Sequence, residues 1–131
     1  ISVNPNHVEI NAAAQCDDPK SVHAFYKQLI DLRHRNPVVA AGDFQLLDAS
    51  DRQVYSFVRA LSSKDGQAAK RLLVMVNVSG EIARIPSETA DLLSLDVDES
   101  RIIITTHDSA HTKLSLTKRE LAPWEGVTIE L

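Results

Sequence analysis

Two histidines four residues apart, His107 and His111, are the first place to look for chemistry in this 131-residue sequence. That is the spacing at which two imidazoles on one helix face can share a zinc ion. The run Thr-Thr-His-Asp-Ser-Ala-His follows an apolar β-type stretch, has loop composition and brings no neighbouring third ligand, so no metal site is expected there. Asp96-Val97-Asp98-Glu99 lacks the glycine and spaced oxygens of a calcium loop and reads as a solvated acidic turn. Asp17-Asp18 and Asp48/Asp51 are carboxylate pairs, yet cap or turn positions account for both. Cys16 is the only cysteine, has no persuasive histidine partner and is expected to be structural or incidental. His23 and His34 fall on a helix, at its surface or edge. Four glycines leave no phosphate-cradling loop, and Gly-x-Ser-x-Gly is absent. Trp124, Tyr55 and Tyr26 are too separated to read as a sugar-stacking platform. We therefore expect no catalytic residue, no cofactor and no metal: on its own chemistry the chain is a binding or structural module.

Bulk properties narrow the partners. A net charge of -4 with scattered Lys and Arg offers no footprint for nucleic acid or an anionic membrane. The longest apolar run, Leu72–Val76, falls far short of the ~20 residues needed to span a bilayer. Ile1–Ile10 lacks a basic start followed by an apolar stretch, so it does not read as a signal peptide. The opening at Ile1 suggests a trimmed N-terminus, and the lone cysteine fits a reducing compartment; a cytoplasmic location is the expectation.

The elements change grammar at Pro37. A turn at Asn4-Pro5-Asn6 precedes a short helix-permissive piece, Asn11–Gln15. Asp18 as cap and Pro19 at the first helical position open one long helix, expected over Asp18–Asn36. Val22, Phe25, Tyr26, Leu29, Ile30 and Leu32 share one side of it, across an arc of about 160°, wider than the ~100° stripe that a single core requires. Arg33, His34 and Arg35 suit the C-terminal end of its dipole, and Pro37 stops it. Strands are expected at Phe44–Leu47, Val54–Val58, Leu72–Val78, Ile82–Ile85, Ile102–Thr105, Leu114–Leu116 and Val127–Leu131, with Leu72–Val78 central. Breaks fall at Ser50-Asp51, Lys64-Asp65-Gly66, Ser79-Gly80, Pro86-Ser87, Asp108-Ser109 and Pro123, and Ser87–Ser100 reads as a loop with a turn of helix. The fold class is mainly β: an antiparallel β-sandwich of Greek-key type, with about seven or eight strands, preceded by one long α-helix.

Several phrases recur together in order: Val3-Asn4-Pro5-Asn6, Ile10-Asn11, Asp18-Pro19-x-Ser21-Val22, Phe25-Tyr26-Lys27-x-Leu29-Ile30-x-Leu32-Arg33, Asn36-Pro37-Val38, Gly42-Asp43-Phe44, Val54-Tyr55-x-Phe57-x-Arg59, Leu72-Leu73-Val74-x-x-Asn77-x-Ser79 and Leu121-x-Pro123-x-Glu125. In this order they resemble the C-terminal end of glycoside hydrolase family 13 enzymes: oligo-1,6-glucosidases, α-glucosidases, isomaltulose synthases and trehalose-forming enzymes. The resemblance covers essentially the whole chain. It implies that 1–37 is the end of a (β/α)8 catalytic barrel, a loop and its last helix, and that 38–131 is the C-terminal antiparallel β-sandwich domain. It also implies a parent enzyme that cleaves or transfers α-glucosidic bonds of oligosaccharides by retaining chemistry between two carboxyl groups. Those groups lie on earlier barrel strands, outside this chain. Departures from the pattern are His7 after Asn-Pro-Asn, Ala41 where a tyrosine is usual, Thr106-His107 in place of Asn-Tyr, and Pro123-Trp124-Glu125-Gly126 at the close. They leave linkage and substrate open.

The partner expected from the resemblance is the catalytic barrel of the same polypeptide. The wide apolar arc would then face the barrel on one side and the sandwich on the other. Without the barrel, the uncovered side of the 18–36 helix is expected to drive self-association. The rival reading is an independent carbohydrate-binding β-sandwich module, whose mark would be an exposed row of aromatic side chains.

Overall fold

The computed structural model describes residues 2–63, 69–93 and 98–131. The expected turn at Lys64-Asp65-Gly66, and Asp96-Val97 of the acidic turn, lie outside the described residues.

A 3-10 turn at Pro5–Val8 and helix α1, Ala12–Cys16, lead into the long helix α2, Val22–Arg35. This helix starts later than the sequence suggests. Asp18 spends its carboxylate on the Lys20 N–H (2.8 Å), closing a turn through Pro19, and Ser21 becomes the cap instead. The Ser21 oxygen accepts the Ala24 N–H at 3.1 Å while its hydroxyl donates to the Gln15 carbonyl at 2.8 Å, tying α2 to α1. The far end also differs. Arg35 is the last α2 residue, and Pro37, instead of only ending a helix, begins a short one, α3, Pro37–Ala41. Val38 is fully buried, and Gly42 then turns the chain into the sheet. A Cβ at Gly42 would lie 2.5 Å from the Val38 carbonyl oxygen, so only glycine fits this close approach.

Strands β1 (Asp43–Leu47), β2 (Val54–Leu61) and β3 (Lys70–Asn77) form an antiparallel meander. Strand β4 (Ala83–Arg84) and helix α4 (Ser87–Leu92) follow, then β5 (Ile102–Thr105) and helix α5 (Ser109–Thr117). Strands β6 (Glu120–Leu121) and β7 (Gly126–Glu130) complete the order. The main sheet runs β1-β2-β3-β7-β5, antiparallel throughout, and β4 pairs with β6 in a small second sheet. The expected central strand is central: β3 lies between β2 and β7.

One expected strand is a helix. Leu114–Leu116 belongs to α5. Asp108 caps it by accepting the His111 N–H at 2.8 Å, and Thr112, Ser115 and Leu116 turn inward at helical spacing. Two leucines flanking a serine mimic strand alternation only if the buried threonine a turn earlier is overlooked. The second layer of the antiparallel architecture is therefore a two-stranded ribbon with α4 and α5 beside it. Leu47, Val54, Val58, Leu73, Met75, Val127 and Ile129 of the main sheet pack against Ala83, Ile85, Leu93, Leu116 and Leu121 of that layer.

Buried polar groups weld the two layers. Glu125 is fully buried; its carboxylate accepts the Thr112 hydroxyl (2.8 Å) and the Ala122 N–H (2.7 Å). Because that carboxylate accepts the Thr112 proton, the neighbouring Thr105 hydroxyl, 2.8 Å away, donates to Thr112. Asn77, also fully buried, donates to the Glu81 and Ala122 carbonyls (2.7 and 2.8 Å) and accepts from the Ser79 N–H and hydroxyl. A buried polar group left without such partners would cost about 1–3 kcal/mol.

Candidate functional site

Several of the acidic groups flagged by type and spacing take structural positions. The His107 and His111 rings stack on each other, centroids 5.1 Å apart, and among the described residues no set of three potential ligands converges on a metal site. Asp51 holds the β1–β2 turn through the Gln53 and Val54 N–H groups (2.8 and 2.7 Å), while Asp48 reaches across to α4. Asp98 caps the 3-10 turn Glu99–Arg101; the backbone N–H and side chain of Ser100 hold its carboxyl below the usual carboxylate range. Cys16, His23 and His34 are exposed. Cys16 and His23 line one shallow depression with Asp17 and Asp18.

The feature that stands out is the other face of the main sheet. Strand alternation sends Val54, Ser56 and Val58 into the core and therefore turns Tyr55, Phe57 and Arg59 outward. The register sets Phe44 opposite Arg59, Leu46 opposite Phe57 and Val74 opposite Phe57 on its other side. An apolar surface results where a free-standing sheet would carry polar side chains. Phe44, Leu46 and Tyr55 remain 52%, 43% and 48% exposed. The rings form a continuous row, with Phe44 and Phe57 centroids 5.1 Å apart and Tyr55 and Phe57 centroids 5.6 Å apart.

Helix α2 overhangs this surface. Its apolar arc splits into two stripes. Phe25, Leu29 and Leu32 are half-buried, and Leu29 and Leu32 line a groove with Phe44, Tyr55, Phe57 and Arg59 beneath them. Val22, Tyr26 and Ile30 point away and are 66%, 61% and 54% exposed. Two faces were expected from the width of the arc, but neither is sealed: α2 contributes no fully buried residue. Trp124, on the tight turn before β7, is 65% exposed and sits at a φ of 58°, a conformation rare for a bulky side chain. Sequence reasoning missed this open face. The signal was present in Val54–Val58, where both sets of alternating residues are, Ser56 apart, apolar or aromatic, as they are in a strand covered on both sides. Among the described residues no helix is long and apolar enough to cross a membrane.

No family model matches the chain. It is 32% identical over 134 residues to an oligo-1,6-glucosidase of Parageobacillus thermoglucosidasius, an alignment covering 96% of this chain and 20% of that protein. It is 31% identical over 131 residues to a glucan 1,6-alpha-glucosidase of Streptococcus pneumoniae, covering all of this chain and 21% of that one. Among solved structures, the trehalulose synthase MutB from Pseudomonas mesoacidophila MX-45 superposes with a TM-score of 0.75 at 32% identity, over 99% of this chain and 21% of that one. The chain thus spans about one fifth of the length of the relatives it matches.

Proposed function

Since the chain belongs to glycoside hydrolase family 13, as the counterpart of the C-terminal fifth of its α-glucosidases, we propose that it is the non-catalytic β-domain of an α-glucosidase-type enzyme that acts on oligosaccharides. Its role is to stabilise the catalytic barrel of the same polypeptide. Residues 1–37 supply the last barrel loop and helix, and 38–131 the β-domain. The nucleophile and acid belong to the remainder of the polypeptide, and the setting is cytoplasmic.

One observation carries this reading: the aromatic row Phe44–Phe57–Tyr55 lies open beside a helix whose second apolar stripe is open as well. Each large apolar side chain buried by docking contributes about 1.5–3 kcal/mol, so a handful of them is comparable to the whole stability of a domain. Hydrolysis of an aryl α-glucoside tests the division of labour. The intact polypeptide is expected to be active and the 131-residue chain inactive. Activity of the chain that scales with its concentration and survives repurification would overturn the reading.

A second reading, an independent carbohydrate-binding module, is favoured by the same aromatic row, because ring faces stack on pyranose rings. Against it, the rings are tilted by 37° and 56° to one another instead of forming a flat platform. Calorimetric titration with maltose and isomaltose separates the two: saturable binding tighter than millimolar supports the module, and its absence supports docking.

A further inference from the structure

The groove under α2 is mostly apolar, with Thr128 and the Tyr55 hydroxyl its uncharged polar groups, and its charges are all of one sign. Arg33 and Arg59 line it, whereas no aspartate or glutamate does, in a chain whose net charge is -4. Among the described residues neither arginine forms an ion pair; the ion pairs present are Arg35 with Asp31 and Lys113 with Glu99. Arg59 is half-buried on β2, between Phe44 and Leu72 in the sheet register. Among the described residues its one side-chain hydrogen bond runs from a terminal guanidinium nitrogen to the Val39 carbonyl and is long, 3.4 Å, and its Nε is buried without an acceptor. A guanidinium presents five donors in a fixed fork matched to a carboxylate, and desolvating it unpaired is costly. The geometry therefore describes half of an interaction.

We propose that this groove docks an apolar segment of the polypeptide's remaining four-fifths that carries a carboxylate, and that Arg59, with Arg33 beside it, receives that carboxylate. The inference rests on the docking role proposed above and adds the chemistry of the partner. Length and charge select the occupant: the relatives are about five times as long as this chain, and the groove's two cations, the exposed Arg33 and the half-buried Arg59, have no anion paired with them among the described residues.

The test compares substitutions in two contexts, the intact polypeptide and the 131-residue chain, by thermal unfolding. Arg59→Leu is expected to lower the unfolding midpoint of the intact polypeptide, with no loss, or a gain, in the chain alone, where the guanidinium is unpaired. Arg59→Lys keeps the charge but not the fork and is expected to recover only part of the loss. Phe57→Asp is the control for docking as such, since it disrupts the apolar floor. If Phe57→Asp destabilises the intact polypeptide selectively and Arg59→Leu does not, docking stands and the carboxylate anchor is overturned. If neither shows any dependence on context, both readings fall. An Arg59→Leu loss of equal size in both contexts would make Arg59 an internal strut and overturn the proposal. Sedimentation of the chain alone covers the remaining occupant: a dimer abolished by Arg59→Leu would assign the groove to a second copy.

Discussion

Asp48 and Thr89 lie 41 residues apart, yet one carboxylate oxygen of Asp48 accepts both the backbone N–H (2.9 Å) and the hydroxyl (2.7 Å) of Thr89. The other oxygen accepts the Glu88 N–H at 3.2 Å, and the Asp48 N–H donates back to Glu88 Oε2 at 3.0 Å. This is a capping box assembled from two distant segments: the residue just after β1 caps α4, whose own preceding residue, Pro86, provides no side-chain cap. Because Thr89 donates to Asp48, Ser56 must donate to Thr89 across their 2.6 Å contact, so the relay reaches the buried face of β2.

Asp48→Ala removes the cap and leaves a buried hydroxyl pair without its terminal acceptor. A loss of about 2 kcal/mol is expected. Asp48→Asn, which tolerates the φ of 43° at this position and keeps one acceptor, should lose less. Urea unfolding of the two variants provides the comparison, and equal losses would mean that the cap contributes little.

Glu125→Gln keeps the shape but turns one acceptor into a donor facing either the Thr112 hydroxyl or the Ala122 N–H. With the carboxylate fully buried, the expected cost is about 1–3 kcal/mol, and Thr112→Val should lose most of its own effect in the Glu125→Gln background. A double-mutant cycle measures that coupling.

Much of the β-domain was legible because local and global signals agree. Alternation in Val54–Val58 and the unbroken run Leu72–Val76 do fall in strands β2 and β3, and the breaks at Ser79-Gly80 and Pro123 are turns. Where tertiary contacts decide, the reading slipped. Asp18 has the form of a helix cap, but Ser21 wins because it can also bond back to Gln15. Leu114-Ser115-Leu116 carries strand alternation, but Asp108 and the Thr112–Glu125 bond commit it to a helix. The apolar outer face was legible in Val54–Val58, but that it stays open was not, since a face apolar in sequence does not say what covers it.

That distinction separates two neighbouring residues on β3. Met75 is fully buried in the core, whereas Val74 is half-buried and lines the groove. Met75→Asp is expected to abolish cooperative unfolding of the chain, an unpaired buried charge costing several kcal/mol against a total of roughly 5–15. Val74→Asp, though it interrupts the same strand, should leave the chain folded and act on docking. Circular-dichroism melts of both variants discriminate; loss of folding by Val74→Asp would mean that the groove is sealed from within.

By itself the chain should also self-associate through the stripe Val22, Tyr26 and Ile30, most simply as a symmetric dimer that uses one face twice. Light scattering over a dilution series is expected to show dissociation, and Tyr26→Lys to favour the monomer. A chain that stays monomeric at high micromolar concentration would show that the stripe alone does not suffice.

The central claim, that the outer sheet face is a docking surface for the rest of the polypeptide, is most directly tested by covalent footprinting of Phe44, Tyr55 and Phe57. The account predicts strong protection of all three in the intact polypeptide relative to the 131-residue chain. Equal labelling of the three rings in the two contexts would contradict it.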